Sequence, residues 1–406
     1  MAQVTRPSRA RGVRLTVIAA MAGLLVALVP PVSAAGLSAT ACRVTNLRTG
    51  GVKTTFPAAV TAAKDGDTLT VRGTCQAGIE LGKDLTIRGI RPAGAGRPTL
   101  RGVIDAIDIA ANRSVLKIPD GVSVRLETIT LTGGGGTAGF PPDRFGGGLW
   151  VYGRATLVSV RVVGNDTGSD FGYGGGIGVY AGDVEILGRS LIAQNSAADG
   201  AGIALYARAS LVIGDRTTVS GNIATSDGGG ILAVNSVITI SGVAKIKSNV
   251  AGERGGGIYA TGIGGTGTAL RLRDQASVTA NSANASVDAA GGGIFLGAGT
   301  WALLRDDVLV AGNSAGAGDG GGIAVLGALD LMGSSVVREN TAAGRGGGVW
   351  LEAPNGAIDL TTPATITGNQ GFGGGGGLGY DSATNPPTGP CGVAISGNSP
   401  NNCQSF

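Results

Sequence analysis

The sequence predicts an all-β chain wound as a right-handed parallel β-helix, a solenoid of about a dozen coils with a short N-terminal capping helix. Three observations carry this expectation. A glycine triplet recurs with an aliphatic residue behind it, a second marker built on asparagine runs in phase with the first, and the residues between them alternate with period two.

The triplets end at Gly148, Gly176, Gly230, Gly257, Gly293, Gly322, Gly348 and Gly377, and a degenerate copy, Gly200-Ala201-Gly202, fills the one gap. Successive copies lie 26 to 29 residues apart except for one interval of 36, which contains the glycine-rich ATGIGGTGTA that reads as a loop insertion. Counting the aliphatic residue after the triplet as position 0, the residue at +2 is apolar in almost every copy: Val151, Val179, Leu205, Ala233, Ala260, Leu296, Val325, Leu351 and Tyr380. Positions 0 and +2 of a strand share a face, so these two rows are expected to stack into a continuous core. The glycines are expected where the coil turns sharply and backbones approach closely.

The second marker is a β-branched residue, two variable residues and an asparagine. It ends at Asn165, Asn195, Asn222, Asn249, Asn281, Asn313, Asn340, Asn369 and Asn398, spaced 27 to 32 residues apart. Asparagine tolerates the left-handed backbone region, and its amide can bond to the same residue one coil away, so a structural ladder is expected. Upstream, residues 56–64 are Ala-rich and suit a helix closing the stack, and TLTVRG, KDLTIRG and VRLETITLTG read as early strands. The expected organisation is a leader over residues 1–34, a cap with early coils over 35–145, and regular repeats over 146–403, the whole from about 42 to 403 being one domain.

The leader has Arg6, Arg9, Arg11 and Arg14 before an apolar run over residues 15–29, with Val32-Ser33-Ala34 behind it. This is the pattern of a cleaved signal peptide, too short for a span, so the mature chain is expected outside the cell or at its surface with no transmembrane segment. Four of the 31 basic residues lie in that leader, leaving 27 against 27 acidic ones, so nucleic acid is not an expected partner. Cys42, Cys75, Cys391 and Cys403 suit an exported, disulfide-bonded chain. Of three possible pairings, Cys42–Cys75 and Cys391–Cys403 would clamp the two ends, where a stack frays. With no histidine, a Ser-His-Asp triad and a histidine-ligated zinc are excluded.

The paired markers resemble the GGA[ILV] and FxxN repeats of the polymorphic outer-membrane protein family, here as GGG[ILV] and [VI]xxN over residues 146–398. The resemblance implies a surface-exposed, adhesive β-helix. The translocating barrel of that family is not carried over, and valine or isoleucine replaces its phenylalanine.

Positions +1 and +3 should point away from the core. Trp150, Tyr152, Tyr180, Tyr206, Tyr259, Phe295 and Trp350 stand there, and such a stripe could stack on sugar rings or pack on a partner protein, or simply stack on itself. The position four before 0 places Asp199 and Asp227 on adjacent coils, where calcium or outward splaying would relieve their repulsion. It also sets Asp227 beside Arg254, and Asp319 beside Arg345, as inter-coil ion pairs. Asp105 with Asp108, and Asp306 with Asp307, are close only in sequence. No catalytic residue is identified. The expected function is non-catalytic, structural or binding of a polysaccharide or a cell-surface protein, with a polysaccharide lyase or glycoside hydrolase as the alternative resting on fold analogy.

Overall fold

One coil shows how the chain winds. Ile177–Tyr180 runs in one sheet (C), Asp183–Leu187 in a second (A), Leu191–Ala193 in a third (B) and Ser196–Ala197 in a fourth (D), and Ile203–Tyr206 then reopens sheet C. Each strand pairs in parallel with its equivalent one coil on, in register: Ile177 with Ile203, Val184 with Leu211, Ile192 with Val219, Ala197 with Ala224. Repetition builds sheets of 13, 12, 12 and 7 strands. The result in this computed structural model is a parallel β-solenoid of about 10 turns, close to the expected dozen, with 2% helix. The structure describes residues 41–91, 94–102, 114–135, 145–284, 290–382 and 394–406, and residues 39–406 belong to one unit.

The core follows the periodicity. Rows 0 and +2 of sheet C are inward, and from Leu149 and Val151 to Val349 and Leu351 they are fully buried. Alternate residues of sheet A (Val184, Ile186) and the central residue of each sheet B strand (Ile192) meet them.

Both markers meet at one contact. Each ladder asparagine donates its Nδ2–H to the Oδ1 of the next, from Asn165 to Asn398, at 2.9–3.0 Å. Its second Nδ2–H goes to a main-chain carbonyl of the previous coil, as from Asn249 to Val219 O at 3.1 Å. Each Oδ1 also accepts the backbone N–H of the preceding asparagine, as Asn249 Oδ1 does from Asn222 at 3.1 Å. From Asn165 to Asn369 these amides are buried and saturated. The row continues to Asn402, whose Oδ1 accepts from Asn398 at 3.2 Å. The third glycine of each triplet faces the asparagine that closes its own coil: a Cβ on Gly257 would lie 2.9 Å from Asn281 Nδ2 and 2.6 Å from Gly293 O. It would also lie 3.0 Å from Val278 Cγ1, the β-branched residue of the marker.

The first glycine of the triplet takes the left-handed turn (Gly255 φ 63°). The ladder asparagines themselves do not, contrary to expectation. The residue before each asparagine turns instead, whether glycine (Gly164, Gly221) or not (Gln194, Ser248, Glu339, φ 54–55°). The asparagine is selected for its amide, and the bend is delegated to its neighbour.

The expected capping helix is Phe56–Ala62, with Pro57 in its first turn and Phe56, Ala59 and Val60 buried. Lys83 Nζ donates to the carbonyls of Val60, Thr61 and Ala63 at 3.1, 3.0 and 2.6 Å, satisfying the helix's C-terminal orphans. Ahead of it Arg43–Asn46 pairs antiparallel with Asp67–Arg72 and with Val52–Lys53. Asp67 accepts from Arg48, from Lys64 N–H and from Asn46, and the Arg48 guanidinium holds its carboxyl well below the usual range. Cys42 and Cys75 form a disulfide across a separation of 33 residues. Cys403 opens the last strand of sheet C, Cys403–Ser405, and Cys391 lies outside the described residues.

Two outcomes are expected from the ladder contact. Asn249→Asp keeps the shape but turns two donors into acceptors facing Asn281 Oδ1 and Val219 O, and should cost about 3 kcal/mol in urea unfolding, against roughly 1 kcal/mol for Asn398→Asp at the exposed end. Gly257→Ala should cost about 3 kcal/mol, and Gly256→Ala at least as much, because a Cβ there would crowd Ser282 O and lie 2.5 Å from Gly292 O, both backbone atoms.

Candidate functional site

The aromatic positions lie on the outer face of sheet C. Register sets Trp150, Gly178, Ala204, Leu232, Tyr259, Phe295, Ala324 and Trp350 side by side along the stack, and Tyr180 beside Tyr206. The stripe is not evenly open to water. Trp150, Phe295 and Trp350 are 9%, 3% and 2% exposed, Tyr180 is 40% exposed, and Tyr152, Tyr206 and Tyr259 are half-buried.

The cause is the row four residues before each sheet C strand. Phe145, Tyr173 and Asp199 bridge in succession there, as do Arg254, Ala290 and Asp319, and long side chains of this row fold over the sheet. Arg345 lies 3.9 Å from the Trp350 ring centroid, and Phe406 meets that ring edge-on at 5.7 Å. Arg254 covers Tyr259 and Phe295 at 5.2 and 5.3 Å, and those two rings stack at 5.0 Å. Ala204, Leu232 and Val234 are buried beneath Tyr173, Tyr206 and Tyr259. Much of sheet C therefore has a second packed layer outside the solenoid core.

The open part belongs to a cluster of six rings, exposed at Tyr180 and half-buried at Tyr152, Tyr173 and Tyr206. Phe145 stacks on Tyr173 at 4.9 Å and meets Tyr206 edge-on at 5.5 Å; Trp150 lies 5.2 Å from Tyr152, and Tyr152 5.8 Å from Tyr180. Phe145 and Tyr173 belong to the row four before position 0, and the shared phase of the two rows is the signal the sequence offers for them. Lys117 sits 4.8 Å over the Trp150 ring and pairs with Glu80 at 3.0 Å. Trp150 Nε1 is buried with no hydrogen-bond partner.

Asp199 and Asp227 adjoin this cluster. Asp199 Oδ1 accepts the Asp227 backbone N–H at 3.0 Å, and Asp227 takes Arg254 Nη2 and Nε at 2.8 and 3.1 Å. The expected pairs Asp227–Arg254 and Asp319–Arg345 are both present, the latter at 2.6 Å. Burial pushes the Asp227 carboxyl up to about 6 while Arg254 pulls the other way, and burial also raises Asp199. The Tyr206 hydroxyl is raised by burial, then by Tyr173 and Asp199. Among the described residues no group of three or more carboxylate or cysteine side chains gathers as a metal site. Asp306, left-handed at φ 64°, and Asp307 sit exposed at the turn from sheet A to sheet B, and Asp105 and Asp108 lie outside the described residues.

The buried Asp227 gives stability a pH dependence. A carboxyl raised above its unfolded value contributes fully below the ordinary carboxylate pKa and loses that contribution as pH rises through about 6. The urea midpoint is expected to fall between about pH 4 and pH 7, and Asp227→Asn to flatten that slope. A steep slope surviving in the variant would assign it elsewhere.

No family model matches this chain, and neither a curated protein nor a solved structure matches it.

Proposed function

We propose that this chain is a non-catalytic, exported β-helix protein of the cell surface or its surroundings that binds glycans on the outer face of sheet C. The carrying observation is the ring cluster at Tyr152, Tyr173, Tyr180 and Tyr206. It offers a partly open apolar wall edged by phenolic hydroxyls, which suits stacking of a sugar ring with hydrogen bonding at its rim. Trp350 and Phe295, covered by Arg345 and Arg254, take the structural role. The signal-type leader supports export, and the likeness of the repeats to those of the polymorphic outer-membrane family supports a place at the surface.

One observation favours the hydrolase reading. Asp199 and Asp227 sit on adjacent coils, a rise of about 4.8 Å, near the separation of roughly 5 Å between the carboxyls of retaining glycosidases. Both are raised toward the protonated form. Against it, Asp227 is committed to Arg254 through two hydrogen bonds.

Retention on a panel of immobilised cell-wall and plant polysaccharides tests the two together. Binding without release of chain ends is expected, with Tyr152→Ala/Tyr180→Ala weakening it about tenfold or more and Trp350→Phe leaving it unchanged. New reducing ends that vanish in Asp227→Asn would replace binding by hydrolysis, unsaturated ends would mean a lyase, and retention only of a protein partner would move the site off glycans.

A further inference from the structure

A different face carries the second site. At the turns from sheet A into sheet B a group of arginines collects: Arg91 and Arg97 in one turn, none in the turn of the following coil, then Arg161, Arg189 and Arg216 on three successive coils. Arg97 and Arg189 meet at one residue: the Arg97 guanidinium donates to Ser159 O, and Arg189 N–H to Ser159 Oγ at 3.3 Å. Arg161 opens the next strand, Arg161–Val163, in register with Leu191, two residues beyond Arg189. Arg189 and Arg216 line one shallow open cavity of about 400 Å³ with Gly188, Asp215, Gly242 and Val243.

Elsewhere in the fold Arg48, Arg88, Arg125, Arg154, Arg254 and Arg345 each hold a carboxylate. Among the described residues none of the five in the group is in an ion pair. Arg97 is pushed below its ordinary pKa by burial and then by the nearby charges of Arg161 and Arg91, so the group is crowded with like charge. Asp215, the acid in the cavity, accepts Gly188 N–H at 2.8 Å through Oδ2 and remains exposed beside Arg216. Arg189 and Arg216 hold equivalent positions, each two residues before the paired Leu191 and Thr218, so their backbones lie one coil spacing apart, about 4.8 Å.

We infer that this group binds a linear anionic polysaccharide, its carboxylate or sulfate groups taken by guanidiniums on successive coils. Coil spacing is close to the advance of one sugar residue, and guanidinium pairs bidentately with carboxylate and sulfate oxygens. The group interleaves no aromatic side chains, as a single-stranded nucleic-acid groove would. The site stands independently of the tyrosine cluster.

The test is titration of the full chain, at low and raised salt, with polygalacturonate, a sulfated glycan, a neutral galactan and duplex DNA. Binding of one or both acidic glycans, weakened by salt, is expected, and Arg189→Glu/Arg216→Glu should lower affinity about tenfold or more. Arg43→Glu/Arg208→Glu, with the same charge change elsewhere, should leave it nearly unchanged, as should Tyr152→Ala/Tyr180→Ala. Far-ultraviolet dichroism and urea midpoints establish that each variant is folded. Preference for polygalacturonate identifies carboxylate as the recognised group, and preference for the sulfated glycan identifies sulfate. No binding of either glycan, equal loss in the control, duplex DNA bound as tightly, or loss on removing the tyrosines would overturn the assignment.

Discussion

The structure depends on a contact between a glycine and an amide inside each coil. The asparagine that closes a coil lies against the third glycine of the triplet that opened it, so close that a Cβ on that glycine would sit 2.6–3.0 Å from the amide nitrogen. That proximity lets the amide reach its equivalent above and a carbonyl below, and the ladder in turn fixes coil height. A side chain on the glycine would push the asparagine out of line, and a shorter polar residue than asparagine would leave buried donors and acceptors open. The valine or isoleucine three residues earlier packs on the same glycine, as Val162 does against Gly148 and Ile366 against Gly348. The two markers are thus the two sides of one interface, which is why they keep phase through an interval as irregular as 36 residues.

Features that repeat were legible in the sequence. The inward rows of sheet C, the asparagine ladder, the helix at Phe56–Ala62 and the Cys42–Cys75 bond each follow from period, residue type or position at an end. The fourth sheet was missed, although the signal was present as Asn-x-Ala at Asn195–Ala197, Asn222–Ala224, Asn249–Ala251, Asn281–Ala283, Asn313–Ala315 and Asn340–Ala342. Two-residue strands fall below any periodicity test, yet the alanine is diagnostic: it is buried where the glycine-rich segment of the next coil crosses. The left-handed residue was assigned to asparagine by intrinsic preference, whereas the fold separates the two duties and lets glycine, glutamine, serine or glutamate make the turn.

The candidate site was harder to read for a definite reason. Period two says which residues leave the core, but not what lies over them afterwards. Whether Trp350 faces water depends on Arg345, five residues earlier in sequence, and on Phe406, more than fifty residues later. The same ambiguity hid Asp227. Its sequence neighbours suggest an exposed turn, but the tyrosines beside it remove water and raise its carboxyl while Arg254 compensates. A row of aromatic positions is therefore a statement about direction; exposure is decided by the row next to it.

Stacking also sorts structural charge from available charge. In a solenoid every residue has a counterpart one coil away, so an arginine placed for stability can find its carboxylate in the adjacent coil, as Arg154 finds Asp183 and Arg254 finds Asp227. Eleven of the nineteen described arginines lack an ion pair, so it is the clustering of several at one corner that carries information. At the corner of sheets A and B, Arg97 lies near Arg91 and Arg161 without an ion pair; Asp215 accepts a backbone amide beside Arg216, and Asp274, Asp306 and Asp307 stand at the same corner on later coils. Exposed guanidiniums tolerate such crowding because water screens them, but screening explains only tolerance. Arginines gathered on successive coils of a rigid edge are a pre-ordered surface for a ligand whose negative charges repeat along its length.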